Sequence, residues 1–137
     1  MSVDMKAKCI ALLSTTASID MNADAPTTNN LFTCPPGQKA VIDSVHIHSN
    51  SATLAGMNDV NFGGGAAGGV SIFIDAEAGI EDMTTANEYM ILRNDSNNIL
   101  MIDGDDATAA NRTFVMYTVS GSTGAATATV DVYGRLI

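Results

Sequence analysis

Apolar and polar residues alternate with a period of two along much of this chain, in short runs. Thr127 to Leu136 is the clearest: Ala128, Val130 and Val132 fall on one side, and Thr129, Asp131 and Tyr133 on the other. Gly69 to Asp75 (GVSIFID) alternates in the same way, with Val70, Ile72 and Ile74 on one face. Lys39 to His48 (KAVIDSVHIH) sets Val41, Val45 and Ile47 against Ser44, His46 and His48. Apolar runs at Lys8 to Leu13, Leu31 to Cys34, Tyr89 to Arg93, Asn98 to Asp103 and Thr113 to Ser120 also read as strands, and Val60 to Phe62 as a weak one. Helical signals are poor. Ala76 to Tyr89 has helical composition, but Gly79 and the pair Thr84 and Thr85 allow one short turn at most.

Punctuation between the runs supports this reading. Pro35-Pro36-Gly37 stops the second run, and NDSN at 94–97 and GSTGAA at 121–126 read as hairpin turns. The pattern predicts an all-β fold, an antiparallel β-sandwich of about eight or nine short strands, with a jelly roll as the expected form. Val41, Val45, Ile47, Val70, Ile72, Ile74, Val130 and Val132 are its expected inward face. Two segments stand apart, Ser14 to Asn30 and Ser49 to Gly69; both are polar or Gly-rich and too poor in large apolar groups to hold a core. The expected division is therefore an N-terminal strand with an extended polar segment over 1–30, and a sandwich domain over 31–137. Thr113 to Ser120 is apolar on both sides, with Phe114 and Met116 facing away from Val115, Tyr117 and Val119, so one side needs cover.

Charge narrows the choice of partner. Fifteen acids against six bases give a net charge of −9, which repels phosphate backbones and argues against direct nucleic-acid binding. The bases, Lys6, Lys8, Lys39, Arg93, Arg112 and Arg135, are dispersed and form no basic arm. No stretch reaches the length of a membrane span, and the apolar run Cys9 to Leu13 is too short for a secretion signal, so synthesis in a cytoplasm is expected. Cys9 and Cys34 have no CxxC spacing and read as two unpaired, half-buried thiols.

Candidate chemistry is sparse. Both histidines, His46 and His48, would share one face of a strand, as two ligands do in cupin-type metalloenzymes. Such a site also needs a third histidine and a nearby carboxylate, and the chain has neither a third histidine nor an acid soon after His48 before Asp59. The polar face of a strand is the preferred reading. A thiol–imidazole dyad has no supporting motif, no G-x-S-x-G is present, and GGGAAGG at 63–69 lacks the Lys and Ser/Thr of a phosphate loop. The acids Asp103, Asp105 and Asp106 lack the spacing of a calcium loop and read as a solvated turn. No catalytic, cofactor or metal residue is assigned, and no enzyme activity is expected.

The run PPGQKAVIDSVHIHSNS, residues 35 to 51, resembles the opening strand of small β-sandwich virion proteins of tailed bacteriophages: a Pro-x-Gly-basic turn, an Ala-Val-Ile strand, then an Asn/Ser-rich loop. STGAATATVDVYGRLI, residues 122 to 137, resembles the terminal strand of such proteins. The resemblance covers about a third of the chain. It implies a capsid decoration (cement) protein on the virion surface, often a homotrimer, whose partner is the major capsid protein. Two alternatives belong to other classes: a tail- or fibre-associated β-sandwich binding host glycan, and a cupin-like metal-binding protein using His46 and His48. Absence of Trp, with Tyr89, Tyr117 and Tyr133 the only tyrosines, weighs against a sugar platform.

Overall fold

The computed structural model describes residues 9–23, 26–66, 71–74, 79–94 and 100–137. Nine strands run β1 (Ala11–Asp20), β2 (Thr27–Thr33), β3 (Lys39–His48), β4 (Asp59–Gly64), β5 (Ser71–Ile74), β6 (Tyr89–Arg93), β7 (Met101–Asp103), β8 (Thr113–Ser120) and β9 (Thr127–Leu136). Among the described residues there is no α-helix; Ile80–Asp82 and Ala109–Arg112 are short 3-10 turns. Sheet A has the order β1-β9-β3-β6, with β7 also on β3; sheet B has the order β2-β8-β4-β5. Every strand pair is antiparallel. With β6 and β7 counted as one position, this is the eight-position order of a jelly roll. The expected all-β sandwich is the observed one.

Both sheets face a single core. Val45, Ile47, Val130 and Val132 line it from sheet A, and Val60, Phe62, Phe114 and Met116 from sheet B. Phe114 meets Phe62 at 6.5 Å and Phe73 edge-on at 5.8 Å between ring centroids. Without Trp, flexible methionines fill the remaining space: Met21, Met57, Met83 and Met116 are all buried. The type II turn at Pro35–Gln38 has Pro36 at its second position and Gly37 at its third, where φ is +77°. Gln38 N–H closes it onto the Pro35 carbonyl at 3.2 Å.

Connections differ from the local reading in an instructive way. GSTGAA is not a hairpin: it carries the chain from β8 in sheet B to β9 in sheet A. Nor does NDSN reverse the chain. β6 pairs with Ser44 to His48 and β7 with Lys39 to Val41, so β6 and β7 run in the same direction along one edge of β3. They are one interrupted strand; Asn94 ends its first piece and residues 95–97 of the expected turn lie outside the described set.

The division at residue 30 also fails. Ser14 to Asp20 is most of β1, paired with β9, and Thr27 to Asn30 opens β2, paired with β8. A strand at a sheet edge keeps one flank in water, so its polar residues do not bar it from the sandwich. Likewise Ser49 to Gly69 contributes to the core, because Leu54, Met57, Val60 and Phe62 are fully buried. Of the expected inward face, Val41 points outward, while Ala40 and Ile42 point in. Val70 and the Ile72 side chain lie outside the described residues. On β8, Val115 is buried within this chain and Tyr117 half-buried, so only Val119 of its outer side stands exposed.

Candidate functional site

One irregularity in β3 sets the candidate site. Ile42 pairs with Gly134 and Ser44 with Tyr133, so Asp43 is an extra residue, a β-bulge. A one-residue insertion inverts the faces beyond it. Ala40 and Ile42 before the bulge, and Val45 and Ile47 after it, all reach the core; Ser44, His46 and His48 are delivered to the outer face of sheet A. Neighbouring strands complete the patch. His46 lies between Asp131 of β9 and Ile91 of β6, and His48 between Thr129 and Tyr89. Tyr133 sits opposite Ser44 on one side and Leu12 of β1 on the other.

The side chains interlock. His48 Nε2 meets Asp131 Oδ2 at 2.8 Å, and its Nδ1 meets Ser49 Oγ at 2.9 Å. His46 Nδ1 meets the Tyr89 hydroxyl at 2.5 Å and its Nε2 meets Ser44 Oγ at 3.1 Å. The Tyr89 ring stacks on His48 at 5.4 Å and meets His46 edge-on at 5.5 Å; Tyr133 lies tilted against His46 at 4.3 Å. Asp131 is nine-tenths buried although it faces outward, and its Oδ1 has no hydrogen-bond partner. Burial holds the His46 imidazole below its ordinary value, with Arg93 and His48 pushing the same way and Asp131 and Asp43 opposing. Tyr89 is raised, chiefly by lost solvation and secondarily by Tyr133 and Asp131.

This arrangement bonds the side chains to one another. All four imidazole nitrogens are already engaged, so none presents a free lone pair to an ion. Among the described residues no group of three or more His, Cys, Asp and Glu comes together as a metal ion requires. Cys34 is buried and donates to the Gln38 carbonyl at 3.3 Å; burial raises its pKa, which disfavours the reactive thiolate. Cys9 is exposed, and both thiols are free. In the acidic loop, Asp103 Oδ1 accepts from Asp105 N–H, Asp105 Oδ1 from Gly37 N–H, and Asp106 Oδ1 from Thr108 N–H. These carboxylates tie the loop to itself and to the Pro36-Gly37 turn.

Comparison with protein-family models, with curated proteins and with solved structures finds no match to this chain.

Sequence reasoning correctly gave His46, His48 and Ser44 a common outward face, and Asp131 and Tyr133 the same orientation on β9. It missed that the two strands are neighbours. The acid that joins His48 is 83 residues away, and no local signal marks the pair. Tyr89 was legible only as one end of a strand.

Proposed function

We propose that this chain is a structural virion protein that decorates the outside of a tailed-phage capsid and stabilises the assembled shell, with the major capsid protein as its partner. The observation that carries the reading is a jelly roll whose most elaborate side-chain cluster is knitted into the outer face of a sheet, with all four imidazole nitrogens bonded to neighbouring side chains and not held open for a substrate. The sequence resemblance at residues 35 to 51 and 122 to 137 points the same way. Decoration would work by avidity: modest contacts repeated across a lattice hold far more tightly than one. Because the clamp binds only the assembled state, it stabilises that state by mass action. The test is to mix purified protein with capsids lacking it. Saturable co-sedimentation, a raised capsid melting temperature and a copy number in the hundreds per particle on a stained gel are the expected results. A protein found at only a few copies per virion, or one that stays in the supernatant, would sink the proposal.

A second reading draws on Tyr89. Its exposed ring, backed by His48, has the form of an aromatic platform, as a glycan-binding tail or fibre sandwich requires. Saturable binding to one class of host glycan, lost in Tyr89→Ala, would favour it over capsid decoration.

A further inference from the structure

Large apolar side chains that remain exposed are unevenly distributed. Leu12, Tyr89, Ile91 and Met101, at 51%, 58%, 47% and 43% exposure, occupy outward positions of sheet A. On the outer face of sheet B, Val119 at 36% is the single counterpart among the described residues. Strand register makes the sheet A positions one patch. Leu12, Tyr133, Ser44 and Arg93 form one row across the sheet; Thr15, Asp131, His46 and Ile91 form the next. Met101, paired with the buried Val41, extends the exposed apolar surface onto β7.

Charge indicates what covers it. Outward positions of sheet A carry Lys39, Arg93 and Arg135 against Asp20, Asp43, Asp103 and Asp131. Three bases against four acids leave −1 on this face, so −8 of the chain's −9 is carried by the rest of the sequence. Asp43 is moreover paired with Arg93 at 3.4 Å and Asp131 with His48. A basic partner would be drawn to the acidic remainder, not here. A second copy, repelled everywhere else by like charge, meets no such barrier on this face.

We propose that the outer face of sheet A packs against the same face of a second copy of this chain. The contact is isologous, with a two-fold axis through the patch, so each Ile91 and Tyr89 is covered by apolar surface of the other copy. Sheets stacked face to face lie about 10 Å apart, a distance that leaves these side chains dry between them. The pairing is two-fold, where the sequence resemblance implied three-fold, and it stands independently of capsid attachment.

Sedimentation velocity of the full chain at micromolar concentration tests it, alongside Ile91→Asp on this face and Val119→Asp on the opposite one. The wild type should sediment at twice the chain mass of 14.2 kDa. Ile91→Asp should sediment as a monomer with an unchanged circular dichroism spectrum, and Val119→Asp should remain paired. If Ile91→Asp does not fold, Met101→Asp takes its place with the same expected outcome. A monomeric or three-fold wild type overturns the proposal, as does pairing that survives Ile91→Asp or is lost in Val119→Asp. Capsid attachment is scored separately. A pair that binds no capsid removes the decoration reading and leaves this one; a wild-type monomer that loses capsid binding on Ile91→Asp assigns the face to the shell and overturns the pairing.

Discussion

Burial favours the neutral form of His46, helped by Arg93 from β6 and His48 from β3; Asp131 from β9 and Asp43 from β3 oppose it, and Tyr89 and Tyr133 pack against the ring. Its folded-state pKa lies below the ordinary value of 6.5. Above that value neither state binds the proton and the group is silent. As pH falls through it, the unfolded chain is protonated first, so stability declines until the folded-state value is reached and then levels. Thermal melting should therefore fall between neutral and mildly acidic pH, and His46→Gln should flatten that fall; an identical pH profile in the variant would refute the assignment. Gly134 makes a different demand. A Cβ there would sit 2.1 Å from the Val41 carbonyl oxygen, where β9 crosses close to the bulge. Gly134→Ala should cost about 2–3 kcal/mol in denaturant unfolding, since backbone cannot move aside as a side chain does. Neither feature was legible locally. KAVIDSVHIH shows alternation, but not that Asp43 breaks its phase, because two residue sets of opposite parity are each apolar enough to face a core.

At the scale of elements, Asn50 joins what the strands leave apart. It is fully buried just beyond β3. Its Nδ2 donates to the carbonyls of Ala52 and Thr85, and its Oδ1 accepts from Glu88 N–H. The loop after β3 is thereby fastened to the segment before β6. Asn50→Ala would strand two carbonyls and one amide at once and should cost about 2–3 kcal/mol, read as a lowered denaturation midpoint; a change of a few tenths would show that water replaces the side chain freely. On β9, Val130 is fully buried, as its alternation indicated. Val130→Asp should leave no cooperative melting transition, because a charge there has no partner. Strands with one dry face were readable in this way. β1 was not, since STTASID has little apolar contrast, and Leu54 and Met57 were hidden as single apolar residues in a Gly- and Asn-rich stretch. The breaks at Pro35–Gly37 and at 121–126 were located correctly and the destination of the second was not, because Gly, Asn and Ser permit a reversal without saying which sheet receives the next strand.

Seen whole, the molecule depends on its N-terminal quarter. β1 covers one edge of β9, and β2 covers one edge of β8. Removing residues 1–30 should therefore yield an insoluble or unfolded product, not a sandwich stripped of an arm; a truncated protein with the wild-type circular dichroism spectrum would contradict this. Fold class was legible because nearly every part of the chain carries the same short-strand rhythm. Sheet order was not, since it depends on pairings such as His48 with Thr129 that span most of the sequence. The broken edge formed by β6 and β7 has one more consequence. An unpaired strand edge is a template on which further chains can add without limit. Here the described part of that edge is one piece of five residues and one of three, with Asn94 and Leu100 outside the strands, while the opposite edge, β1, is bent by two register shifts and by Ser18 at φ +55°. Neither rim of sheet A offers an incoming strand a long straight ladder. A protein crowded at high local concentration can in this way expose an apolar sheet face without seeding fibres along its borders.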